Sequence, residues 1–140
     1  MTSNRIVILD DDYTASQSLS NAARGIGSAS VVYRDALSFY TDIINSRFEP
    51  NDVFILDLML RNEGLPAELL VSDAQTGQII LKILREKMPR AIIYVVTAWN
   101  LRDDDPYQTR RYADRIFSKP CKYRSVIQLI LEEYSANRNR

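Results

Sequence analysis

The feature that most constrains this sequence is an apolar segment near the middle of the chain, residues 53–60, whose only charged residue is Asp57. An apolar run of this length between polar residues predicts a buried strand. Hydrophobicity that is nearly continuous is typical of a strand covered on both faces, as in a parallel sheet. A carboxylate near the end of such a strand is costly unless it is paired or bound to a metal. Asp57 is therefore either a functional residue or an ordinary turn residue just past the strand.

Strand and helix patterns alternate five times along the chain. Such alternation predicts an α/β fold in which a doubly wound parallel sheet is covered by helices on both faces. We expect five strands in the order 2-1-3-4-5, which is a flavodoxin-like arrangement. The strands are predicted at residues 5–9, 29–33, 53–60, 91–96 and 116–117.

Caps and apolar spacing locate the helices between these strands. The second helix is predicted to begin after Asp35, a favoured capping residue, and to bury Leu37, Tyr40 and Ile44. The fourth helix is predicted over residues 103–113, where an acidic cluster followed by proline suits a first helical turn. Its apolar face is poor.

Two further stretches stand outside this alternation. Residues 61–76 are irregular, with room for one short helical turn, and they carry Gly64, Pro66 and Asp73 with several leucines among them. Residues 135–140 form a polar tail after the last predicted helix, residues 123–134. We therefore interpret residues 1–140 as one domain with an insertion at about 61–76, because this length is typical of a single domain.

Composition excludes several classes of protein. Lys and Arg together number 18, as do Asp and Glu, so no net charge favours direct binding to nucleic acid. No apolar run is long enough to cross a bilayer and no signal peptide is apparent, so neither membrane insertion nor export is expected. The single cysteine, Cys121, indicates a reducing compartment and hence the cytoplasm. The sequence has no histidine, which excludes a Ser-His-Asp triad and a histidine-ligated zinc site.

Four of the predicted strands end in residues that can carry chemistry. These residues are Asp10 and Asp11 after the first strand, Asp57 in the third, Thr97 after the fourth and Lys119 after the fifth. Because the carboxyl ends of parallel strands meet at one edge, we expect these side chains to share a cleft. Three carboxylates that repel one another predict a hard divalent cation such as Mg²⁺, and a lysine with a hydroxyl suits phosphate oxygens. The set is typical of phosphoryl transfer, in which a carboxylate can itself be the nucleophile.

Four short motifs at these strand ends resemble the signatures of response-regulator receiver domains, which act in two-component and phosphorelay signalling. The motifs are residues 6–12 (IVILDDD), 55–60 (ILDLML), 95–98 (VVTA) and 118–120 (SKP). Each motif alone is common, but all four occur in order and each lies at a strand end. The resemblance covers the whole chain, and it implies a receiver fold and a phosphoprotein that signals by binding other proteins.

The resemblance implies a role for each carboxylate. Asp57 would accept phosphate from a phosphohistidine on a sensor histidine kinase or a histidine phosphotransfer protein. Asp10 and Asp11 would hold Mg²⁺ together with Asp57 and the backbone carbonyl of Met59. The aspartyl-phosphate would be formed and hydrolysed by the chain itself, which is not the activity of an ordinary enzyme on a separate substrate.

The resemblance also assigns roles to the other residues of the motifs. Thr97 and Lys119 would contact the phosphoryl group, and the bond between Lys119 and Pro120 would be cis. Because the sequence contains no recognisable effector domain, the output is expected to be binding to a downstream target protein.

Two departures from the receiver pattern bear on how a signal would leave the site. The stretch between Asp57 and Gly77 is longer than in most relatives, and the extra residues fall within residues 61–76, beside the predicted site. The position usually held by an aromatic switch residue is Ile116, and strand alternation points the neighbouring Phe117 to the other face. These departures call the usual coupling between the threonine and an aromatic residue into question, but not phosphorylation itself.

Two alternatives stay open. The stretch from Asp10 to Thr14 also fits the Asp-x-Asp-x-Thr signature of haloacid-dehalogenase-type phosphatases, in which Asp10 would be the nucleophile and Asp12 the acid/base. That family needs a further acidic motif on a strand after the lysine, which this sequence lacks, and Asp57 would have no role. The other alternative is a protein with the receiver fold that binds partners without being phosphorylated, which the altered switch position and the insertion would suit.

Overall fold

The computed structural model describes residues 5–71 and 73–138 of the chain. A parallel sheet of five strands lies at its centre, in the order β2-β1-β3-β4-β5. The fold class predicted from the sequence, a doubly wound α/β sheet of order 2-1-3-4-5, is therefore confirmed. The strands are β1 (Ile6–Leu9), β2 (Ser30–Tyr33), β3 (Val53–Leu56), β4 (Ile92–Thr97) and β5 (Arg115–Ser118).

The central strands are level at their carboxyl ends. Leu9 of β1 pairs with Leu56 of β3, and Leu56 pairs with Val95 of β4. Strands β1 and β3 are buried along their whole length, which explains why their sequences show no polar alternation. Strand β3 ends at Leu56, so residues 57–60, which were predicted as part of the strand, lie beyond the sheet.

Helices cover both faces of the sheet, as predicted. They are α1 (Tyr13–Gly25), α2 (Ala36–Ile44), α3 (Thr76–Lys87), α4 (Thr109–Tyr112) and α5 (Tyr123–Arg138), with a 3-10 turn (Ala67–Leu69) before α3. α1 and α5 pack together on one face, while α2 and α3 pack on the other with α4 beside α3. The alternation of a strand sends Leu9 toward α2 and α3, and Ile8 toward α1 and α5.

Helix α5 is longer than predicted. It continues through most of the stretch that was predicted as a polar tail, to Arg138, while residues 139–140 lie outside the described residues. Val126, Ile127 and Ile130 are buried, as their helical spacing indicated. None of the described helices combines the length and the apolar character that a bilayer span requires.

The buried face of α2 differs from the prediction. The three residues predicted to be buried are exposed or only partly buried: Leu37, Tyr40 and Ile44. The helix instead buries the residues one position earlier: Ala36, Phe39 and Ile43. The ring of Phe39 packs edge-on against the rings of Tyr33 and Phe54. Because apolar residues occur on both sides of this helix, the aromatic packing decides which side faces the core.

Helix α4 is one turn, not the helix predicted over residues 103–113. The Asp105 carboxylate accepts hydrogen bonds from the backbone amides of Tyr107 and Thr109, at 3.0 and 2.9 Å. These bonds offer the backbone an alternative to helical ones, and Gln108 adopts a left-handed conformation with φ of 53°. The acidic cluster that suggested a helix start therefore builds a turn.

The described part of residues 61–76 is irregular around one 3-10 turn, as predicted, and it is fastened to the domain by buried side chains. Leu65 is buried in the core beside α2 and α3. Gly64 has φ of 81°, and a β-carbon there would lie 2.7 Å from Leu37 Cδ2. The second half, beyond the 3-10 turn, leaves Val71 exposed. The segment is thus held by Leu65 and by Thr76, with the exposed Val71 between them.

The first turn of α3 rests on the backbone that follows β3. The Gly77 amide donates a hydrogen bond to the Leu58 carbonyl at 2.9 Å. A β-carbon on Gly77 would lie 2.2 Å from the Asp57 carbonyl oxygen and 2.3 Å from Leu58 Cα. Because no side-chain atom can come so close, only glycine permits this contact between α3 and the Asp57 backbone.

We expect Gly77→Ala to lower the free energy of unfolding by about 1–3 kcal/mol, because the blocking atoms belong to the backbone and cannot rotate away. Equilibrium unfolding in urea would measure the loss. Gly25→Ala is the matched control, since a β-carbon at Gly25 meets nothing within 4 Å. It should be neutral or stabilise the protein by up to about 1 kcal/mol. Equal losses from the two substitutions would contradict the packing at Gly77.

Candidate functional site

Side chains that follow β1, β3 and β5 meet in one cleft at the carboxyl edge of the sheet. The Lys119 Nζ donates hydrogen bonds to Asp10 Oδ2 at 2.8 Å and to Asp57 Oδ2 at 2.9 Å. Asp10 and Asp57 are 2% and 5% exposed, and the Lys119 side chain is 12% exposed. The structure thus brings together and buries three of the residues that the sequence singled out.

Backbone hydrogen bonds fix the places of these three residues. The Asp57 amide donates to the Leu9 carbonyl at 2.9 Å, and the Asp10 amide donates to the Tyr33 carbonyl, the last of β2, at 3.0 Å. The Lys119 amide likewise donates to the last carbonyl of β4 at 2.9 Å. Each bond extends the parallel pairing by one step, so the sheet itself sets the positions of the side chains.

The cleft carries an excess of negative charge. Burial raises the pKa of Asp10 above its ordinary value, although hydrogen bonds from Lys119 and from the Asp12 amide act against it. Burial lowers the pKa of Lys119, but its hydrogen bonds to Asp10 and Asp57 outweigh burial and raise it above the usual value. The ammonium is therefore firmly protonated, whereas the two carboxylates that share it are only partly compensated. A bound cation would relieve this excess.

Thr97 is buried at the end of β4, next to the cleft. Its Oγ1 accepts a hydrogen bond from the Trp99 amide at 3.1 Å, and its carbonyl accepts the amide of Lys119. Within the described residues its hydroxyl does not bond to the three clustered side chains. Thr97 therefore stands beside the site with its hydroxyl engaged by the loop that carries the exposed Trp99.

Asp11 faces Arg61 and not the buried lysine. Its Oδ2 accepts a hydrogen bond from the Arg61 amide at 3.3 Å, and it lies 3.8 Å from Arg61 Nε in an ion pair. Arg61 was not among the site residues predicted from the sequence. In the sequence, Arg61 is notable only as the first residue of the irregular segment 61–76. Arg61 and Asp11 are far apart along the chain, and no local sequence pattern indicates a contact between residues so far apart.

The oxygen atoms at this edge suit a hard divalent cation, although they do not surround one point. In the part of the chain that the structure describes, no three acidic, histidine or cysteine side chains lie close enough together to hold a metal. The carboxylates of Asp10 and Asp57 are ligands of the kind that Mg²⁺ prefers, and Asp11 would make a third if it exchanged Arg61 for the cation. The Met59 carbonyl accepts no hydrogen bond from the described residues, so it offers a further oxygen.

The two residues before Ser118 lie on opposite faces of the sheet, as strand alternation predicted. Ile116 packs on the side of α2 and α3. Phe117 lies on the other side, beside Tyr94, with ring centroids 5.7 Å apart. The bond between Lys119 and Pro120 is cis, as expected. Phe117, the aromatic residue nearest to Lys119 in the sequence, therefore packs on the face covered by α1 and α5.

Comparisons with known proteins bear on the fold. A scan against protein-family models finds no match, and a search of curated proteins finds none either. Solved structures do match. The receiver domain of a Francisella response regulator aligns with a TM-score of 0.72 at 18% identity, over 96% of this chain and 99% of that one. A two-component response regulator from Clostridium difficile aligns with a TM-score of 0.72 at 16% identity, over 99% of this chain and 100% of that one.

A third solved structure agrees with these two. A CheY-like response regulator receiver domain protein from Methanospirillum hungatei aligns with a TM-score of 0.68 at 19% identity, over 99% of this chain and 98% of that one. At such identities the likeness concerns the fold. The chain has the fold of response-regulator receiver domains along almost its whole length.

We expect Lys119→Met to lower the free energy of unfolding by about 3 kcal/mol, because it leaves two buried carboxylates without a shared counter-charge. Urea unfolding in the presence of a chelator would measure the loss. Lys122→Met is the matched control, since it removes an exposed lysine from the same stretch and should cost less than about 0.5 kcal/mol.

Adding Asp10→Asn to Lys119→Met should restore part of the lost stability, because only one buried carboxylate then lacks a partner. A double variant as unstable as Lys119→Met alone would contradict the shared contact.

Proposed function

We propose that this chain is a response-regulator receiver of a two-component or phosphorelay system and that Asp57 is its phosphoacceptor. The observation that carries the proposal is the ammonium of Lys119, which holds Asp57 and Asp10 together at the carboxyl edge of a sheet of receiver topology. If the ion pair of Lys119 had only a structural role, one buried carboxylate would be enough. A second carboxylate, which the ammonium cannot fully compensate, suits a site that takes up a cation and phosphate.

Asp57 is the proposed nucleophile, and its hydrogen bonds support this role. Its Oδ1 accepts a hydrogen bond from the Met59 amide at 3.0 Å, and its Oδ2 accepts one from Lys119. These bonds hold the carboxylate in one orientation. In the proposed step a carboxylate oxygen forms a bond to phosphorus while the bond from phosphorus to the donor's imidazole nitrogen breaks. Correct placement supplies much of the acceleration in such a reaction.

Lys119 and Thr97 are proposed to bind the phosphoryl group. The Lys119 ammonium would exchange a carboxylate oxygen for a phosphoryl oxygen, which it can approach as a point charge. The Thr97 hydroxyl, which now accepts from the Trp99 amide, would turn and donate to a second phosphoryl oxygen. Both groups act in a buried site, where fixed charges and dipoles are more effective than in water.

The proposal includes Mg²⁺, held by the carboxylates of Asp10, Asp11 and Asp57 together with the Met59 carbonyl. When bound, the ion would neutralise phosphoryl charge at the acceptor. Asp11 has to leave Arg61 to take part, because its oxygen now lies against the Arg61 amide and side chain. The chain's own contribution is to supply these oxygens and to fix two of the three carboxylates in place.

The proposed phosphodonor is a sensor histidine kinase or a histidine phosphotransfer protein, and the proposed output is binding to a downstream target protein. The balance of acidic and basic residues supports a protein partner over direct binding to nucleic acid. The proposal treats residues 1–140 as one receiver domain. It also places the protein in the cytoplasm, where its single cysteine would stay reduced.

A phosphatase of the haloacid-dehalogenase type has less support. That reaction would need Asp12 in the cleft as the acid/base. Asp12 instead caps α1, because its Oδ1 accepts a hydrogen bond from the Thr14 amide at 2.9 Å, and the residue is exposed. The phosphatase would also leave Asp57 without a chemical role, although Lys119 holds it as closely as Asp10.

We expect the chain to gain one phosphoryl group when it is incubated with Mg²⁺ and acetyl phosphate, and Asp57→Asn to gain none. Intact-mass measurement detects the product. Asp12→Asn is the matched control, because it removes a neighbouring carboxylate that caps a helix, and it should be phosphorylated like the wild type. Phosphatase turnover that survives Asp57→Asn but not Asp10→Asn would favour the hydrolase. If no variant is modified, the chain is a receiver-fold protein that binds partners without phosphorylation.

Arg61 is expected to compete with the cation for Asp11. Arg61→Ala should therefore tighten Mg²⁺ binding by roughly three-fold, which matches the small energy of an exposed ion pair. The fluorescence of Trp99, the only tryptophan in the sequence, would report binding. Arg34→Ala is the control for a general field effect, since Arg34 lies over the Tyr13 ring and not against Asp11. If both substitutions tighten binding equally, direct competition at Asp11 is wrong.

A further inference from the structure

A second cleft lies at the end of the sheet opposite Asp57. It opens between the carboxyl ends of α2 and α3, where β3 and β4 begin, and its volume is about 440 Å³. Pockets of roughly 300–1,000 Å³ are typical of small-molecule sites. Nothing in the proposed phosphorylation chemistry uses this cleft, because the carboxylates and Lys119 lie at the other ends of the same strands.

The walls of the cleft are apolar and largely fixed. Ile43 and Ala91 form its floor and are buried. The ring of Phe48 lines one side and is held by Phe54, with ring centroids 5.1 Å apart. Met88 also lines the cleft, and its flexible thioether lets the wall adapt to the shape of a bound molecule. The cleft is therefore preformed and suited to an apolar body.

Lys87 and Arg90 are the only charged residues that line the cleft. Both are exposed, and neither side chain makes an ion pair or hydrogen bond with any residue that the structure describes. Arg85, which lies in α3 like Lys87, is already engaged. Its guanidinium donates hydrogen bonds to the carbonyls of Pro89 and Ala91 in the turn that follows α3. Two cations thus stand at an apolar cleft with no acidic residue in its lining.

The backbone at Ser46 adds to this picture. Ser46 lines the cleft and adopts a left-handed conformation with φ of 54°. Residues with a β-carbon seldom adopt it, and glycine or asparagine is usual where a helix ends in this way. Ser46 is the only uncharged residue with a polar side chain among the described residues that line the cleft. The polar groups that line the cleft are therefore suited to an anion.

We propose that this cleft binds small carboxylic acids that have an aromatic or branched apolar body. The body lies between Phe48 and Met88, and the carboxylate pairs with Lys87 and Arg90 at the rim. The planar guanidinium of Arg90 suits both oxygens of a carboxylate. Burial of the apolar body drives binding, and the two charges select an acid over a neutral molecule of the same shape.

The test is a titration of the isotope-labelled chain, followed by backbone amide NMR, with naphthoic acid and with naphthylmethanol as its neutral counterpart. We expect the acid to shift amides of residues 43–50 and 87–91 and to bind at least about ten-fold more tightly than the alcohol. Equal affinity for the two probes would overturn the proposal. So would shifts confined to other regions, or binding of an acidic peptide in the absence of binding by either probe.

Substitution of Lys87 and Arg90 distinguishes their direct contact with the acid from an effect of the protein's net charge. The double variant Lys87→Ser and Arg90→Ser should weaken binding of the acid by about ten-fold and leave binding of the alcohol unchanged. The control double variant Lys82→Ser and Arg102→Ser removes the same charge from exposed residues outside this cleft, and it should bind the acid like the wild type. The same loss in both double variants would overturn the proposal. Because the cleft is remote from Asp57, the result is independent of whether Asp57 is phosphorylated.

Discussion

The reach of Lys119 across the end of β4 is the interaction on which the rest of the site depends. β4 lies between β5, which leads to Lys119, and β3, which leads to Asp57. Neighbouring strands are about 4.8 Å apart, so the lysine has to span two strand spacings to meet Asp57. The long aliphatic stem of lysine makes this possible, and the small Thr97 at the end of β4 leaves room for it. A sheet of another strand order would not place Asp10 and Asp57 side by side under one ammonium.

The irregular segment 61–76 is tied to this site at both of its ends. Arg61 contacts Asp11, and Gly77, directly after the segment, donates to the backbone that follows Asp57. The entropic cost of closing such a segment rises only slowly with its length. The same contact sets the position of α3, whose buried Gln78 amide donates to the Thr109 hydroxyl at 3.0 Å. The backbone that follows Asp57 is thus joined through α3 to the single turn of α4 by direct contacts.

The strand positions and the meeting of Asp10, Asp57 and Lys119 in one cleft could be predicted from the sequence because both follow from a simple rule. Each strand is a short apolar run, and the first polar residue after it lies at a shared edge of the sheet. Contacts that depend on packing could not be predicted. Phe39 decided the orientation of α2 through its aromatic neighbours, and Asp105 stopped a helix by bonding its own backbone. Arg61 meets Asp11 at the carboxyl edge of the sheet, and no local pattern in the sequence indicates this contact.

The position of Phe117 decides which helix is in contact with the end of β5. Its ring lies against Tyr94, and the Tyr94 hydroxyl donates to Glu133 of α5. Burial, followed by Glu133, raises the pKa of Tyr94, which keeps the hydroxyl protonated as a donor. Arg115 of β5 pairs with the same carboxylate. On the face covered by α2 and α3, the side chain of Ile116 has no polar group with which to make such a contact. Helix α4, on that face, has only one turn. The end of β5 is thus tied to α5 by side-chain contacts, whereas the backbone that follows β3 is tied to α4 through α3.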